Sequence, residues 1–142
     1  MWNLVYQGTL HGNPVSMGRP RKGRYGMYTA PKSAKYMKEK VTVIKGELAG
    51  LEPLEGPLKV VLTFVHQRPQ RLLKKQCSEG RILKTTKPDL DNLTKMVLDI
   101  LTNSRIWNDD NQVVKLVCSD YYCGREEEPH TQIAIYKNGG EV

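Results

Sequence analysis

The segment from Lys87 to Lys95, KPDLDNLTK, holds the residues of this chain best suited to chemistry. Pro88 cannot donate to a sheet ladder and fixes its own backbone, so the preceding strand or loop ends there and a helix begins near Asp91 or Asn92. In extended chain, residues two apart point to the same side, which aims Asp89 and Asp91 at one point. Two convergent carboxylates repel each other when both are ionised. A hard cation such as Mg²⁺ or Mn²⁺ offsets that repulsion, and a partly open coordination sphere leaves room for phosphate oxygens and water. Lys95 falls four residues after Asp91 on the same helical face, where it can stabilise a phosphoryl oxygen or a leaving group. The plainer reading is that Asp91 only caps the helix and Lys95 only pairs with it. A second acidic pair, Asp109 and Asp110, weighs against that, because it follows the segment Arg105 to Asn108 and directly precedes a strand. A strand running back along the sheet can return this pair to the helix start and supply a third carboxylate.

The elements that must hold these groups follow from periodicity. Trp2, Leu4, Tyr6 and Leu10 recur at even spacing before Gly12 and Pro14, which predicts a first strand and a turn. Met37, Val41, Ile44 and Leu48 repeat at helical spacing, which predicts a helix from about Ala34 to Leu48 with Ser33 as its N-cap. Leu58 to His66 reads as a strand buried on both faces, bounded by Pro57 and Pro69. Gln70 to Thr86 is polar, basic and without period, and reads as a long exposed loop. Leu93, Met96, Val97, Ile100 and Leu101 form an apolar stripe, giving a second helix that stops near Asn103. Two strands follow, about Val113 to Tyr121 and Thr131 to Tyr136, joined by an acidic turn with Glu126, Glu127 and Glu128. The order β-α-β-α-β-β suits a single α+β domain over 1–142, with two helices packed on one mixed sheet. Residues 12–33 and 67–87 read as basic, mobile loops, and 138–142 as a frayed tail.

Charge points to the partner. The chain has 22 Lys and Arg against 15 Asp and Glu, a net charge of +7, which suits a polyanion such as nucleic acid. Fifteen of those cations lie in two stretches, Gly12 to Lys40 and His66 to Lys87, and five of the six aspartates follow directly after the second. Positive arms leading into an acidic centre fit a protein that grips a phosphate backbone and holds a divalent cation against it. The candidate DNA contacts are Arg19, Arg21, Lys22, Arg24, Arg68, Arg71, Lys74, Lys75, Lys84 and Lys87. Tyr25, Tyr28 and Trp107 are candidates for stacking on unpaired bases, with core packing the plainer role for Trp107.

Other classes drop out. No apolar run approaches the roughly 20 residues of a membrane span, and no secretory signal opens the chain. Three cysteines without a CxxC pair suit a reducing, cytoplasmic setting rather than a disulfide scaffold. Counted from Asp89, a calcium loop would need an oxygen ligand at Leu93 and glycine at Thr94. The phosphate-cradling motifs GxxxxGK[ST] and GxGxxG are absent, so no nucleotide cofactor is expected. Cys118, Cys123 and His130 are irregularly spaced for zinc.

Lys87-Pro88-Asp89-Leu90-Asp91-Asn92-Leu93 with Lys95, followed by Ile106-Trp107-Asn108-Asp109-Asp110-Asn111-Gln112-Val113, resembles the signature of the RusA-type Holliday-junction resolvases, endodeoxyribonucleases common in bacteria and prophages. Gly18-Arg19-Pro20-Arg21 with Tyr28-Thr29-Ala30-Pro31 is similar to the basic N-terminal segment of that family. The likeness runs from Gly18 to about Val117, in the family's order. It implies a homodimeric, Mg²⁺-dependent hydrolase that nicks paired strands of a four-way junction in DNA recombination and repair. It also implies that Asp89, Asp91 and Asp110 are the essential carboxylates and Lys95 the essential lysine, with Asp109 part of the motif. The loop from Gln67 to Thr86 departs from the family's length. Two rivals stand beside this reading: a broader nuclease acting on flaps or forks, and a DNA-binding module without catalysis.

Overall fold

The computed structural model describes residues 1–18, 21–28 and 30–139, and of Arg21 and Tyr28 the backbone alone. Its elements are β1 (Trp2–His11), β2 (Arg21–Gly23), β3 (Gly26–Tyr28), α1 (Pro31–Glu47), β4 (Leu58–His66), β5 (Ile82–Leu83), α2 (Leu90–Asn103), β6 (Val113–Tyr122) and β7 (His130–Asn138). Five strands form one mixed sheet in the order β1-β7-β4-β6-β5, while β2 and β3 form a separate small hairpin. The chain is thus one α+β domain with two helices on a mixed sheet.

β4 is the central strand. It pairs parallel with β6, from Leu58 opposite Val113 to His66 opposite Tyr122, and antiparallel with β7. A parallel neighbour demands a crossover, and α2 supplies it between β4 and β6. β6 and β7 are consecutive in sequence yet do not pair, because the acidic connector crosses the end of β4 and delivers β7 to its other side. Leu58, Val60, Leu62 and Phe64 of β4 are buried with Leu93, Met96, Val97, Ile100 and Leu101 of α2 and with Ile44 of α1. The apolar stripe of α2 is therefore core. The other face of β4 is only half-covered at Lys59, Val61 and Thr63, where burial on both faces was expected. Helices lie over one face alone.

α1 begins three residues before the predicted Ala34, with Pro31 in its first turn, where a missing N–H costs nothing. Ser33 is not its cap. The Ser33 hydroxyl instead donates to the Ser16 carbonyl at 3.0 Å and accepts from the Gly18 amide at 2.9 Å. A Cβ on Gly18 would come within 3.0 Å of Ala30 Cβ and 3.1 Å of Ser33 Oγ, so only glycine fits this seam without displacement. Trp107 is fully buried, its indole N–H donating to Thr102 Oγ1 at 2.9 Å, which makes it a core residue and not a base-stacking platform. Tyr25 is 95% exposed at the tip of the β2–β3 hairpin, with the Arg24 guanidinium 5.7 Å from its ring centre.

The segment after β4 has more structure than a loop without period suggests. It holds a 3₁₀ turn at Gln70–Leu72 and pairs β5 with Tyr121 and Tyr122 at the edge of β6. Arg81 grips Glu127 through 2.7 Å and 3.0 Å bonds, which lowers the Glu127 carboxyl to about 2. Arg125 bonds the Leu73, Lys74 and Cys77 carbonyls and pairs with Glu79 at 3.0 Å. The acidic connector thus clasps the basic segment. No helix among the described residues is long and apolar enough to cross a membrane.

Candidate active site

α2 starts where Pro88 ends the preceding chain, with Asp89 extended at the N-cap position (φ −71°, ψ 148°) and Asp91 inside the first turn. The period-two spacing of extended chain therefore does not carry through, because the chain changes from extended at Asp89 to helical at Asp91. The Asp89 side chain caps no helix N–H, so its carboxylate is not consumed by the fold. Among the described residues the Asp91 carboxylate accepts only the neighbouring Asn92 N–H, at 2.9 Å. Both are exposed.

Asp91, Lys95 and Asp110 line one open cavity of about 580 Å³ between α2 and β6. Leu90, Leu98, Leu116 and Cys118 give it an apolar floor, and Thr94 donates to Cys118 Sγ at 3.3 Å. Asp99 lines the same cavity. The sequence reading passed it over, although Asp91, Lys95 and Asp99 stand at successive steps of four on one helix face, which was the available signal. Asp89 is not part of that lining.

The second acidic pair divides its labour. After α2, Leu54 donates its amide to the Ile106 carbonyl at 2.8 Å, and the buried Trp107 follows. Asp109 then caps a 3₁₀ turn, Asp110–Gln112, by accepting the Asn111 N–H at 2.9 Å, while Gln112 Oε1 accepts the Asp109 N–H at 3.1 Å. Gln112 Nε2 also donates to the Leu54 and Gly56 carbonyls, tying the turn to the chain before β4. With Asp109 spent on the turn, Asp110 is the member that reaches the cavity.

Asp110 has a raised pKa. A hydrogen bond shared with the Asp109 side chain is the largest cause, followed by burial and by repulsion from Asp109 and Asp99. Folding therefore makes Asp110 harder to ionise. That contribution to stability is present at low pH and is lost as pH rises from the ordinary carboxylate value through the raised one. Asp110→Asn is expected to melt at or above the parent at neutral pH, with the difference closing in acid. Mg²⁺ should raise the parent's Tm more than the variant's. Thermal melts across pH, with and without Mg²⁺, check both, and a variant that melts lower only at neutral pH would contradict the repulsion.

Among the described residues no three carboxylate, imidazole or thiol side chains converge into a metal cage. Mg²⁺ does not need one, since it keeps several waters and is commonly held by one or two carboxylates together with substrate phosphates. Excess negative charge around Asp110 and the free carboxylates of Asp89 and Asp91 suit such a hydrated ion.

The basic residues sort by burial. Lys22 and Arg24 are exposed on the hairpin, and Arg71, Lys74, Lys75 and Lys87 are exposed beyond β4. Arg68, expected among the DNA contacts, is 6% exposed and spends its guanidinium on four backbone carbonyls. Lys84, also expected there, has a side chain only 3% exposed and bonded to the Thr86 and Pro88 carbonyls, 3.6 Å from Asp120. These two cations build the fold. Sequence could not separate them from the exposed ones, because burial is a tertiary property. Arg19 lies outside the described residues, as does the Arg21 side chain. The chain leading to them is anchored, since Met17 donates its amide to the Asn92 carbonyl in the first turn of α2, at 3.1 Å. The N-terminal basic arm therefore departs from beside Asp91.

The profile of the family described as Endodeoxyribonuclease RusA matches residues 11–136. The chain belongs to the RusA endodeoxyribonuclease family. The match takes in both acidic segments, Lys95 and the basic stretches that flank them. Two relatives are similar to this RusA-family chain. An uncharacterized protein, YqaN of Bacillus subtilis (strain 168), is 34% identical over 136 residues, covering 89% of this chain and 92% of the relative. The crossover junction endodeoxyribonuclease rusA of Lactococcus phage r1t is 42% identical over 60 residues, covering 42% of this chain and 41% of that protein.

Proposed function

We propose that this chain is a metal-dependent endodeoxyribonuclease that resolves four-way DNA junctions by paired nicks, with Asp89, Asp91 and Asp110 as metal-holding carboxylates and Lys95 beside them. The observation that carries this reading is the shared cavity of Asp91, Lys95 and Asp110 at the two acidic motifs of a RusA-family chain. The name of the phage relative, a crossover junction endodeoxyribonuclease, supports the choice of substrate. When bound, Mg²⁺ or Mn²⁺ supplies charge neutralisation at the phosphate and acidifies a water to serve as nucleophile. Lys95 offers its ammonium to the negative charge that develops on the phosphoryl oxygens. Asp109 keeps Asp110 aimed into the cavity, and Trp107 anchors the turn that carries both. A homodimer suits the task, because two symmetric sites address two symmetric strands.

The deciding experiment incubates the purified chain with labelled four-way junction and matched linear duplex, in Mg²⁺ or EDTA. Paired, Mg²⁺-dependent nicks confined to the junction are expected. Equal cutting of flaps and forks would make it a broader branched-DNA nuclease, and binding without cutting in Mg²⁺ and Mn²⁺ would leave a DNA-binding module. The N-terminal arm has its own test. Arg19→Ala with Arg21→Ala should weaken junction binding and lower the log–log salt slope by about 2, roughly one unit per phosphate contact. An unchanged slope in salt titrations would remove the arm from the DNA site.

A further inference from the structure

A second cavity, of about 310 Å³, lies at the C-terminal end of β4, on the other flank of Asp89 from the carboxylate cavity. The carboxylate cavity takes Leu90 and Asp91 from the α2 start, whereas this one takes Lys87 and Pro88. Its chemistry is opposite. Arg68 and Lys84 form its wall, both almost wholly buried, and Lys87 stands exposed at its mouth.

Their charges are unevenly met. Among the described residues the four acceptors of the Arg68 guanidinium are neutral carbonyls of Leu72, Ser78, Gly80 and Cys123, which meet its hydrogen bonds and not its charge. Lys84 lies 3.6 Å from Asp120, whose other oxygen is 2.7 Å from His66 Nε2. Asp120 thus faces Lys84, and among the described residues no carboxylate lies within ion-pair distance of Arg68. A buried positive charge without a counter-charge is costly, and an anion seated against it recovers part of that cost. The wall is also rigid, because Lys84 holds the Pro88 carbonyl at 3.1 Å and Thr86 bonds the Tyr122 hydroxyl at 2.5 Å. At the rim, Asn13 Oδ1 accepts the Gln67 N–H at 2.8 Å, and its NH₂ group donates to nothing among the described residues.

We infer that this cavity is a phosphate subsite, taking a backbone phosphate of the DNA strand next to the one that is cut. Lys87 and the Asn13 NH₂ contact the phosphate oxygens, and the buried Arg68 and Lys84 supply the field. Its position directly before Asp89 sets the register in which the strand crosses the carboxylates. The inference rests on the proposed function for the identity of the strand.

The test measures junction binding in EDTA, so that it does not depend on cleavage. Single phosphates around the branch point are replaced in turn by uncharged methylphosphonate, and each junction is titrated against the parent chain and against Lys87→Ala. At one position the replacement is expected to weaken parent binding about tenfold, the size of one charge-assisted contact. At that position Lys87→Ala should cost nothing more, and with the unmodified junction it should lower the salt slope by about one unit. Losses that multiply at every position would overturn the subsite. Inorganic phosphate that shifts the Asn13 side-chain NMR signal, with no position coupled to Lys87, would assign the cavity to a small anion and also overturn it. Absence of nicking with intact coupling would sink the cleavage reading alone.

Discussion

Asp91→Asn is expected to abolish junction cleavage, by about 10³-fold or more, while sparing both folding and junction binding. The structure makes these effects separable. Asp91 is exposed, and the hydrogen bond it accepts from the Asn92 N–H at 2.9 Å can be kept by the amide oxygen of asparagine. What the fold loses is a negative charge in the first turn of α2, a contribution of about 0.3–1 kcal/mol. On the proposed function catalysis loses a metal-holding carboxylate, and the several kcal/mol of charge stabilisation that a metal provides correspond to about a thousandfold in rate. Binding in EDTA should be equal or slightly tighter, since one carboxylate fewer repels the phosphates. Single-turnover cleavage, thermal melts and gel-shift titrations on the same preparation measure the three quantities. Retained cleavage would remove Asp91 from the site, and a chain that no longer folds would return it to the helix-cap role.

Arg68→Ala should act in the opposite way, destabilising the chain by about 3–5 kcal/mol, because buried carbonyls lose the donor they share. Its guanidinium reaches Cys123 O, Ser78 O and Gly80 O at 2.7 Å each and Leu72 O at 3.0 Å. Those carbonyls belong to three segments: the 3₁₀ turn after β4, the loop before β5, and the connector from β6 to β7. One side chain therefore joins stretches more than fifty residues apart, and truncation leaves four acceptors without a donor, each a cost of about 1–3 kcal/mol before relaxation. Arg68→Lys should rescue little, because an ammonium cannot reproduce the planar fork. Chemical denaturation measures the loss. Unchanged stability with a lowered salt slope of DNA binding would show that Arg68 is a surface phosphate contact after all.

These expectations divide along the line between what sequence and tertiary structure each decided. The apolar periods of Leu58–His66 and of Leu93 to Leu101 were legible because burial imposes a repeat of two or 3.6 on any chain that forms such elements. The acidic motifs were legible because residue type limits chemistry: carboxylates are the charged oxygen donors that a hard cation takes. Cap geometry was less so. Ser33 has the type of a cap and Ala30 does not, yet the hydroxyl is held by Ser16 and Gly18, a contact fifteen and more residues away.

Sequence by itself thus indicated the order of both helices and of the four long strands β1, β4, β6 and β7, the core stripe of α2 and the candidate acids and lysine, whereas β2, β3 and β5 fall in stretches that read as loops. Tertiary structure alone decided that β6 and β7 straddle β4, that Asp109 closes a turn while Asp110 faces the cavity, and that Asp99 joins it. It also decided which of the described candidate cations are exposed, since Arg68 and Lys84 are as basic in sequence as Lys87 but lie inside the fold. The physical reason is common to all of these: charge and hydrogen-bonding capacity belong to the residue type, whereas the partner that consumes them is brought in from distant chain by packing.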